Sequence, residues 1–231
     1  MQENKRTEEV RYRISPQDHL LRRGLHLLSS LVVIYYLFPP TFFFLPMKFW
    51  LILLLGIVPF IIEIHRMKKG SIMIGQREYE KRAIGSYAWS LWTSAAIILV
   101  LPQEIGLPVI LIYTLADPVI GEIRLWKKWL VLPLGGIFTS ILFIAFGFNI
   151  FLAGFAALFM IVGEALEITG HIRSRPELLR LYKIESLNDN IGISFKTDDN
   201  ATTQLVPALA LGLVYIFYPG WFPGPWLFPL F

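Results

Sequence analysis

The chain has 231 residues, of which 55% are hydrophobic and 16% are charged, well below the roughly 25% charged residues of ordinary soluble domains. It contains no cysteine, which excludes disulfides, thiolate metal sites and cysteine nucleophiles. At about 20 apolar residues per span, this length predicts an all-α polytopic membrane protein of about seven transmembrane helices. Residues 1–231 then form a single integral membrane domain, with no room for a separate soluble domain.

Seven apolar runs follow one another along the chain, and each predicts one membrane-spanning helix. They cover approximately residues 20–38, 47–64, 83–101, 105–123, 129–146, 149–168 and 201–218. Asp117-Pro118 interrupts the fourth run. Because proline lacks a backbone N–H and disfavours helix at the residue before it, a break in the fourth helix is predicted there.

Three segments lie outside these runs. Residues 1–19 are polar and lack the apolar stretch of a signal peptide, so they are predicted to be a cytosolic N-terminal segment. Residues 169–200 are predicted to form a cytosolic loop. Residues 219–231 are rich in proline and aromatic residues and are predicted to lie in the membrane interface, where tryptophan is favoured.

Charged residues are distributed very unequally between the two ends of these spans. Seven spans place 20 of the 21 Lys and Arg on the side of the N-terminus, with only Lys48 opposite, so the positive-inside rule puts that side in the cytosol. Of the 17 acids, only Glu104 falls on the outer side, and all four His are inside. A basic excess of this kind reflects topology and does not indicate nucleic acid. The asymmetry favours an enzyme of the cell membrane whose soluble substrate comes from the cytosol, whereas a transporter usually has polar groups near the midplane.

Asp117 is the strongest local signal for function. An acid inside an apolar span is costly and is by default a functional hypothesis. Beside a broken helix, its carboxylate could hold a metal ion or a phosphate group. The alternative is an interfacial acid that pairs with Arg124.

A second acidic group lies at the end of the sixth predicted helix. Glu164, Glu167 and His171 are spaced so that they share one helix face. Such a set could bind a divalent cation, and Mg²⁺ prefers one or two carboxylates together with phosphate oxygens. The alternative is a solvated helix end that pairs with Arg173 or Arg175.

Basic residues stand at the start of the first predicted helix and at the end of the second. The guanidinium groups of Arg22 and Arg23 could bind a phosphate chain through bidentate hydrogen bonds, and His26 shares a helix face with Arg22. The alternative for the two arginines is a topological anchor in the cytosolic interface. Glu63 and Arg66 admit two interpretations, an interfacial ion pair or a functional group.

Asp198, Asp199 and Asn200 lead into the last predicted helix. A helix N-terminus favours such residues as caps, but capping accounts for only one of them. A cation-binding corner is the alternative. The chain contains neither a G-x-x-x-x-G-K-[ST] nor a G-x-G-x-x-G motif, so no standard glycine loop holds a nucleotide.

Four of these segments together resemble a known family. RRGLHLLSS, the Glu63–Arg66 end of the second helix, ADPVIGEIR and DDNATTQLVPAL resemble motifs of the dolichol kinase, phytol kinase and CTP-dependent diacylglycerol kinase family, particularly its short archaeal-type members. The resemblance implies transfer of the terminal phosphate of CTP to a polyprenol-type lipid alcohol, such as dolichol or geranylgeraniol, with Mg²⁺. One departure is that Gly121 comes early and is followed by Arg124-Leu125-Trp126, where many relatives have Gly-Arg-x-x-Gly.

The resemblance also implies roles for individual residues. Metal binding or orientation of the hydroxyl would fall to Asp117, Asp198 and Asp199, with Glu164 as a further candidate metal ligand; nucleotide contacts would fall to Arg22, Arg23, His26, Arg66 and Asn200. Asp117, Asp199 and His26 are the candidate catalytic residues. Two other functions stay open, a lipid cytidylyltransferase, which releases pyrophosphate, and a small transporter or scaffold.

Overall fold

A computed structural model describes residues 16–73, 84–126, 130–173 and 199–224. Within these ranges, only the backbone is described for residues 16–19, 22, 124–126, 164–173 and 199–200. The protein is mostly helical, with 83% of the structure in helices. The predicted all-α class is therefore confirmed.

Seven helices follow in chain order through the described residues. They are α1 (Pro16–Leu28, continued by a 3-10 segment, Ser29–Leu37), α2 (Met47–Lys69), α3 (Ser86–Val100), α4 (Gln103–Trp126), α5 (Val131–Ala145), α6 (Ile150–Arg173) and α7 (Asp199–Phe217). A wider π-helical turn, Ile52–Ile57, interrupts α2. Between α1 and α2, strands β1 (Thr41–Phe42) and β2 (Leu45–Pro46) form a small antiparallel hairpin.

Two of these helices are long and apolar enough to cross a membrane, Met47–Lys69 and Gln103–Ile123. In the other five helices, the apolar stretches whose side chains the structure describes have between 10 and 17 residues. The two long helices differ in their surroundings, because 17% of the apolar window of α2 is buried against 61% of that of α4. Thus α4 is the central helix, and α2 lies at the periphery with most of its apolar surface uncovered.

The predicted break at Asp117-Pro118 is wrong, because α4 continues without interruption from Gln103 to Trp126. A proline inside a helix costs about 3 kcal/mol. Here the helix is held on both sides of Pro118 by tertiary packing, since Ala116 and Ile120 are both buried in the core. Burial of α4 against its neighbours therefore outweighs the local preference of the proline.

Small residues allow α6 and α7 to approach each other closely. A Cβ atom added at Gly163 would lie 2.6 Å from the carbonyl oxygen of Thr202, closer than two such atoms can pack. In the same contact the Thr202 hydroxyl donates a hydrogen bond to the Gly163 carbonyl oxygen at 3.0 Å. Glycine and threonine are typical of helix pairs that pack with little space between their backbones.

Gly163→Ala is expected to destabilise the protein by roughly 1–3 kcal/mol, as overpacking of a tight backbone contact does. Gly154→Ala is the matched control, because it lies on the same helix with nothing within 4 Å of the added Cβ. The control should gain up to about 1 kcal/mol from higher helix propensity. Denaturant unfolding in detergent measures both, and equal stabilities of the two variants would contradict the close contact.

A hydrogen-bonded polar group joins α7 to α3 inside the apolar core. The Gln204 side chain is fully buried. Its Nε2 donates to the Ser90 hydroxyl at 3.1 Å, and its Oε1 accepts a hydrogen bond from the Ser94 hydroxyl at 2.9 Å. Both ends of the amide are thus satisfied, as a buried polar group requires.

The contacts between helices determine which helix ends lie together. The start of α1 meets the end of α4 through Arg23 and Glu122, the end of α2 meets the start of α3, and the start of α7 meets both α3 and the late part of α6. At the opposite end, Tyr36 contacts Gly106 near the start of α4, and Leu101 contacts Gly212 late in α7. The pairs α1–α4, α2–α3 and α6–α7 therefore run antiparallel, whereas α3 and α7 run parallel. We call the end formed by the start of α1 and the late part of α4 the polar end.

Candidate functional site

His26 and Asp117 face each other at the polar end. His26 Nε2 of α1 lies 3.6 Å from Asp117 Oδ2 of α4, with side-chain exposures of 13% and 30%. The imidazole also packs edge-on against the fully buried ring of Tyr113, with the ring centroids 4.8 Å apart. Tyr113 lies one turn before Asp117, so α4 supplies both the carboxylate and the aromatic ring that contact the imidazole. The result is a partly exposed acid–base pair at the edge of an apolar core.

Arg23 holds α1 against α4 beside this pair. Its guanidinium lies 2.8 Å from the Glu122 carboxylate and donates a hydrogen bond to the carbonyl oxygen of Pro118. Gly121 makes room for this contact, because a Cβ there would lie 3.0 Å from Arg23 Nη2. These contacts show Arg23 as a link between α1 and α4. Its predicted nucleotide contact stays a prediction.

Glu63 and Arg66 form a buried ion pair where α2 ends. Arg66 Nε and Nη2 each donate to the Glu63 carboxylate at 2.8 Å, and the two side chains are 3% and 1% exposed. Glu63 also accepts hydrogen bonds from the backbone N–H of Gly85 and the hydroxyl of Tyr87, both at 2.6 Å. Arg66 Nη1 donates to the carbonyl oxygen of Ser71 at 3.2 Å. The structure thus contains the predicted ion pair, although the pair is buried and not interfacial. The predicted nucleotide contact of Arg66 stays a prediction.

The remaining predicted site residues lie partly or wholly outside the described residues. Asp198 is not described, and for Arg22, Glu164, Asp199 and Asn200 only the backbone is. Their helices are nevertheless placed. Residue 164 directly follows Gly163, whose backbone contacts Thr202, and Asp199 begins the same first turn of α7. The backbones that carry residues 164 and 199 therefore meet at the polar end, and α7 also packs against α4, which carries Asp117.

Among the side chains that the structure describes, no group of three or more His, Asp or Glu could hold a metal ion. The Asp117 carboxylate alone still fits Mg²⁺, which commonly takes one or two carboxylates and completes its shell with phosphate oxygens and water. Its partial exposure leaves room for such a shell. Asp117 is thus the described residue that would hold the metal, and the acids of α6 and α7 are the candidates to add a second carboxylate.

An apolar groove opens on the outer surface between α2 and α3. It has a volume of about 280 Å³ and is lined by Gly56, Ile57, Phe60, Trp89 and Trp92. The Trp92 indole N–H crosses it to donate to the Gly56 carbonyl oxygen at 3.1 Å. This groove was not predicted from the sequence, in which the available signal was a pair of tryptophans three residues apart, Trp89 and Trp92.

No family model, no curated protein and no solved structure matches the chain.

Proposed function

We propose that the protein is a membrane-embedded kinase that transfers the terminal phosphate of CTP to a polyprenol-type lipid alcohol. The observation that supports this proposal best is the pairing of His26 with Asp117 at the polar end of an otherwise apolar bundle. The sequence resemblance named Asp117 and His26 from motifs 91 residues apart, and the fold brings the two side chains to 3.6 Å.

The chemistry of the pair suits phosphoryl transfer to an alcohol. In this reaction a bond forms between the lipid hydroxyl oxygen and the γ-phosphorus, and the bond from that phosphorus to the β–γ bridging oxygen breaks. The hydroxyl proton goes to the Asp117 carboxylate, and CDP leaves. Such reactions need mainly positioning and charge neutralisation, to which an oriented carboxylate and nearby basic groups contribute.

Neighbouring residues complete the proposed site. His26 fixes the orientation of the Asp117 carboxylate, and its own ring is fixed by Tyr113. Arg22 and Asn200 contact the nucleotide, while Asp199 and Glu164 supply further carboxylates from helices that reach the same end. Asp198, which lies outside the described residues, is the other candidate carboxylate. Bound Mg²⁺ would neutralise the charge of the phosphate chain.

The proposal includes a location. The chain crosses the cell membrane about seven times, with its N-terminus and the polar end in the cytosol, because 20 of its 21 Lys and Arg belong to that side. A long isoprenoid alcohol stays in the bilayer, and its hydroxyl meets the nucleotide at the cytosolic boundary. The many exposed large apolar side chains, particularly those of α2, support contact with lipid.

Purified protein in lipid vesicles, supplied with Mg²⁺ and γ-labelled CTP, tests the proposal. Prenols of several chain lengths and diacylglycerol serve as acceptors, and label should enter the organic phase only with an acceptor present. Labelled pyrophosphate together with a cytidine-linked lipid would instead indicate a cytidylyltransferase. No transfer from CTP or ATP to any acceptor, with solute flux across the vesicles, would refute the kinase and indicate a transporter.

A further inference from the structure

The hairpin between α1 and α2 ends in an aromatic turn that the rest of the protein does not cover. Phe43 and Phe44 form its tip, with exposures of 71% and 103%. The hairpin is nevertheless well held at its base. The Met47 backbone N–H donates to the Pro40 carbonyl oxygen at 2.8 Å, and the Trp50 indole N–H donates to that of Phe42 at 2.9 Å. Because Trp50 lies on α2, the aromatic tip is fixed to the end of this helix.

The turn has a backbone conformation that phenylalanine disfavours. Phe43 and Phe44 have φ angles of 47° and 62°, both in the left-handed region. Two-residue hairpin turns of this kind are normally Asn-Gly or Gly-Gly, which adopt positive φ with little or no strain. The chain therefore keeps two large apolar side chains at a position where the backbone favours small or polar ones. Retention of these side chains on a disfavoured backbone indicates that the side chains themselves have a function.

The length of α2 and the charges at its far end indicate the depth of the hairpin in a membrane. With 23 residues, α2 is roughly 34 Å long, slightly more than the roughly 30 Å hydrocarbon layer of a bilayer. Its far end carries Lys68 and Lys69, both exposed, which belong in one headgroup layer. The hairpin at the other end then falls at the headgroup level of the opposite leaflet. From residue 27 to residue 47 the sequence has no charged side chain and no histidine, and the first charge after it is Lys48.

We infer that Phe43 and Phe44 insert into the headgroup and upper acyl region of the outer leaflet and anchor the start of α2 there. Phenylalanine is among the apolar residues that membrane-bound segments bury at the boundary between headgroups and acyl chains. A basic residue next to it extends to the phosphates. Contact with the lipid offsets the backbone strain of the turn. The inference rests on the proposed membrane location and orientation of the chain, and not on its proposed catalytic activity.

Site-directed spin labelling tests this inference directly, because the chain has no native cysteine. A nitroxide is attached at Thr41→Cys, an exposed hairpin position that leaves both phenylalanines intact. Ile61→Cys and Lys69→Cys on α2 provide hydrocarbon and aqueous references. In phosphatidylcholine vesicles, the ratio of accessibility to O₂ over a water-soluble nickel complex is expected to be several-fold higher at residue 41 than at residue 69.

The matched control carries the same label with Phe43→Asn and Phe44→Gly, which suits the turn but removes the aromatic tip. The ratio at residue 41 should then fall toward that of residue 69. An unchanged ratio would overturn the inference, because the depth would come from α2 alone. Dipolar broadening between labels, with low accessibility to both reagents, would overturn it in favour of a second copy of the chain on the hairpin.

Discussion

Asp117→Asn is expected to lower turnover of the lipid alcohol by at least about 100-fold while the protein stays folded. Asparagine keeps the size and hydrogen-bonding shape of the side chain but cannot accept the hydroxyl proton or carry the negative charge, and removal of a positioned general base typically costs 10²- to 10⁴-fold. Initial rates with γ-labelled CTP measure the loss. Size-exclusion chromatography and thermal unfolding in detergent check that the fold is retained.

Glu122→Gln is the matched control for this prediction. It makes the same chemical change five residues later on α4, where the carboxylate is 58% exposed and contacts Arg23 instead of His26. Its rate should stay within a few-fold of wild type. Near-normal turnover of Asp117→Asn would remove Asp117 from the mechanism, whereas equal losses in both variants would indicate a general effect on α4.

His26 gives a test of whether the pair acts as a unit. If His26 works by orienting Asp117, His26→Ala combined with Asp117→Asn should be little slower than Asp117→Asn alone, as residues that act together are strongly non-additive. Independent roles would instead multiply the two losses. The double-mutant cycle on the transfer rate distinguishes these cases.

Arg66→Met is expected to destabilise the protein by about 3–5 kcal/mol, the usual cost of removing one partner of a buried ion pair. The variant leaves the Glu63 carboxylate 1% exposed without its guanidinium. The free energy of unfolding in detergent, from denaturant titration, measures the loss. Lys68→Met on the same turn is the control, because Lys68 is exposed and its loss should stay within about 0.5 kcal/mol.

Replacing both partners should cost less than the two single changes added together. Glu63→Met with Arg66→Met removes both charges, although it leaves the Gly85 N–H without the carboxylate that now accepts from it. Additive losses in this cycle would show that Glu63 and Arg66 act independently, contrary to the observed geometry.

Hydrophobic patterning predicted the helices well because long apolar runs form helices here both where neighbours bury them, as in α4, and where they stay mostly uncovered, as in α2. The predicted run of residues 47–64 starts where α2 starts, and that of residues 201–218 covers nearly all of α7. Prediction failed where tertiary packing or an unusual turn overrides local preference. Pro118 stays helical because its neighbours are buried, and nothing in Phe43-Phe44 indicates a left-handed turn.

The site could be predicted only in part. The i,i+3 spacing of Glu63 and Arg66 is sufficient to predict their pairing, and the ion pair was one of the two interpretations. The sequence placed His26 and Asp117 at one membrane face but offered Arg124 as the partner of Asp117, since distances between helices depend on packing that no local pattern contains. Tyr113 had no signal at all, because an aromatic residue in an apolar run is ordinary.

The hydrogen bonds of Gln204 determine where the first residues of α7 lie along the helix axis. Its amide bridges Ser90 and Ser94, which are one turn apart on α3. A shift of α7 by one turn along its axis would break both hydrogen bonds inside the buried core, where no water replaces them. The hydrogen bonds therefore hold α7 at one position along its axis relative to α3. Asp199 lies five residues earlier, roughly 7.5 Å along the axis. A buried neutral amide thus fixes the position of Asp199 along the axis of α7 relative to α3.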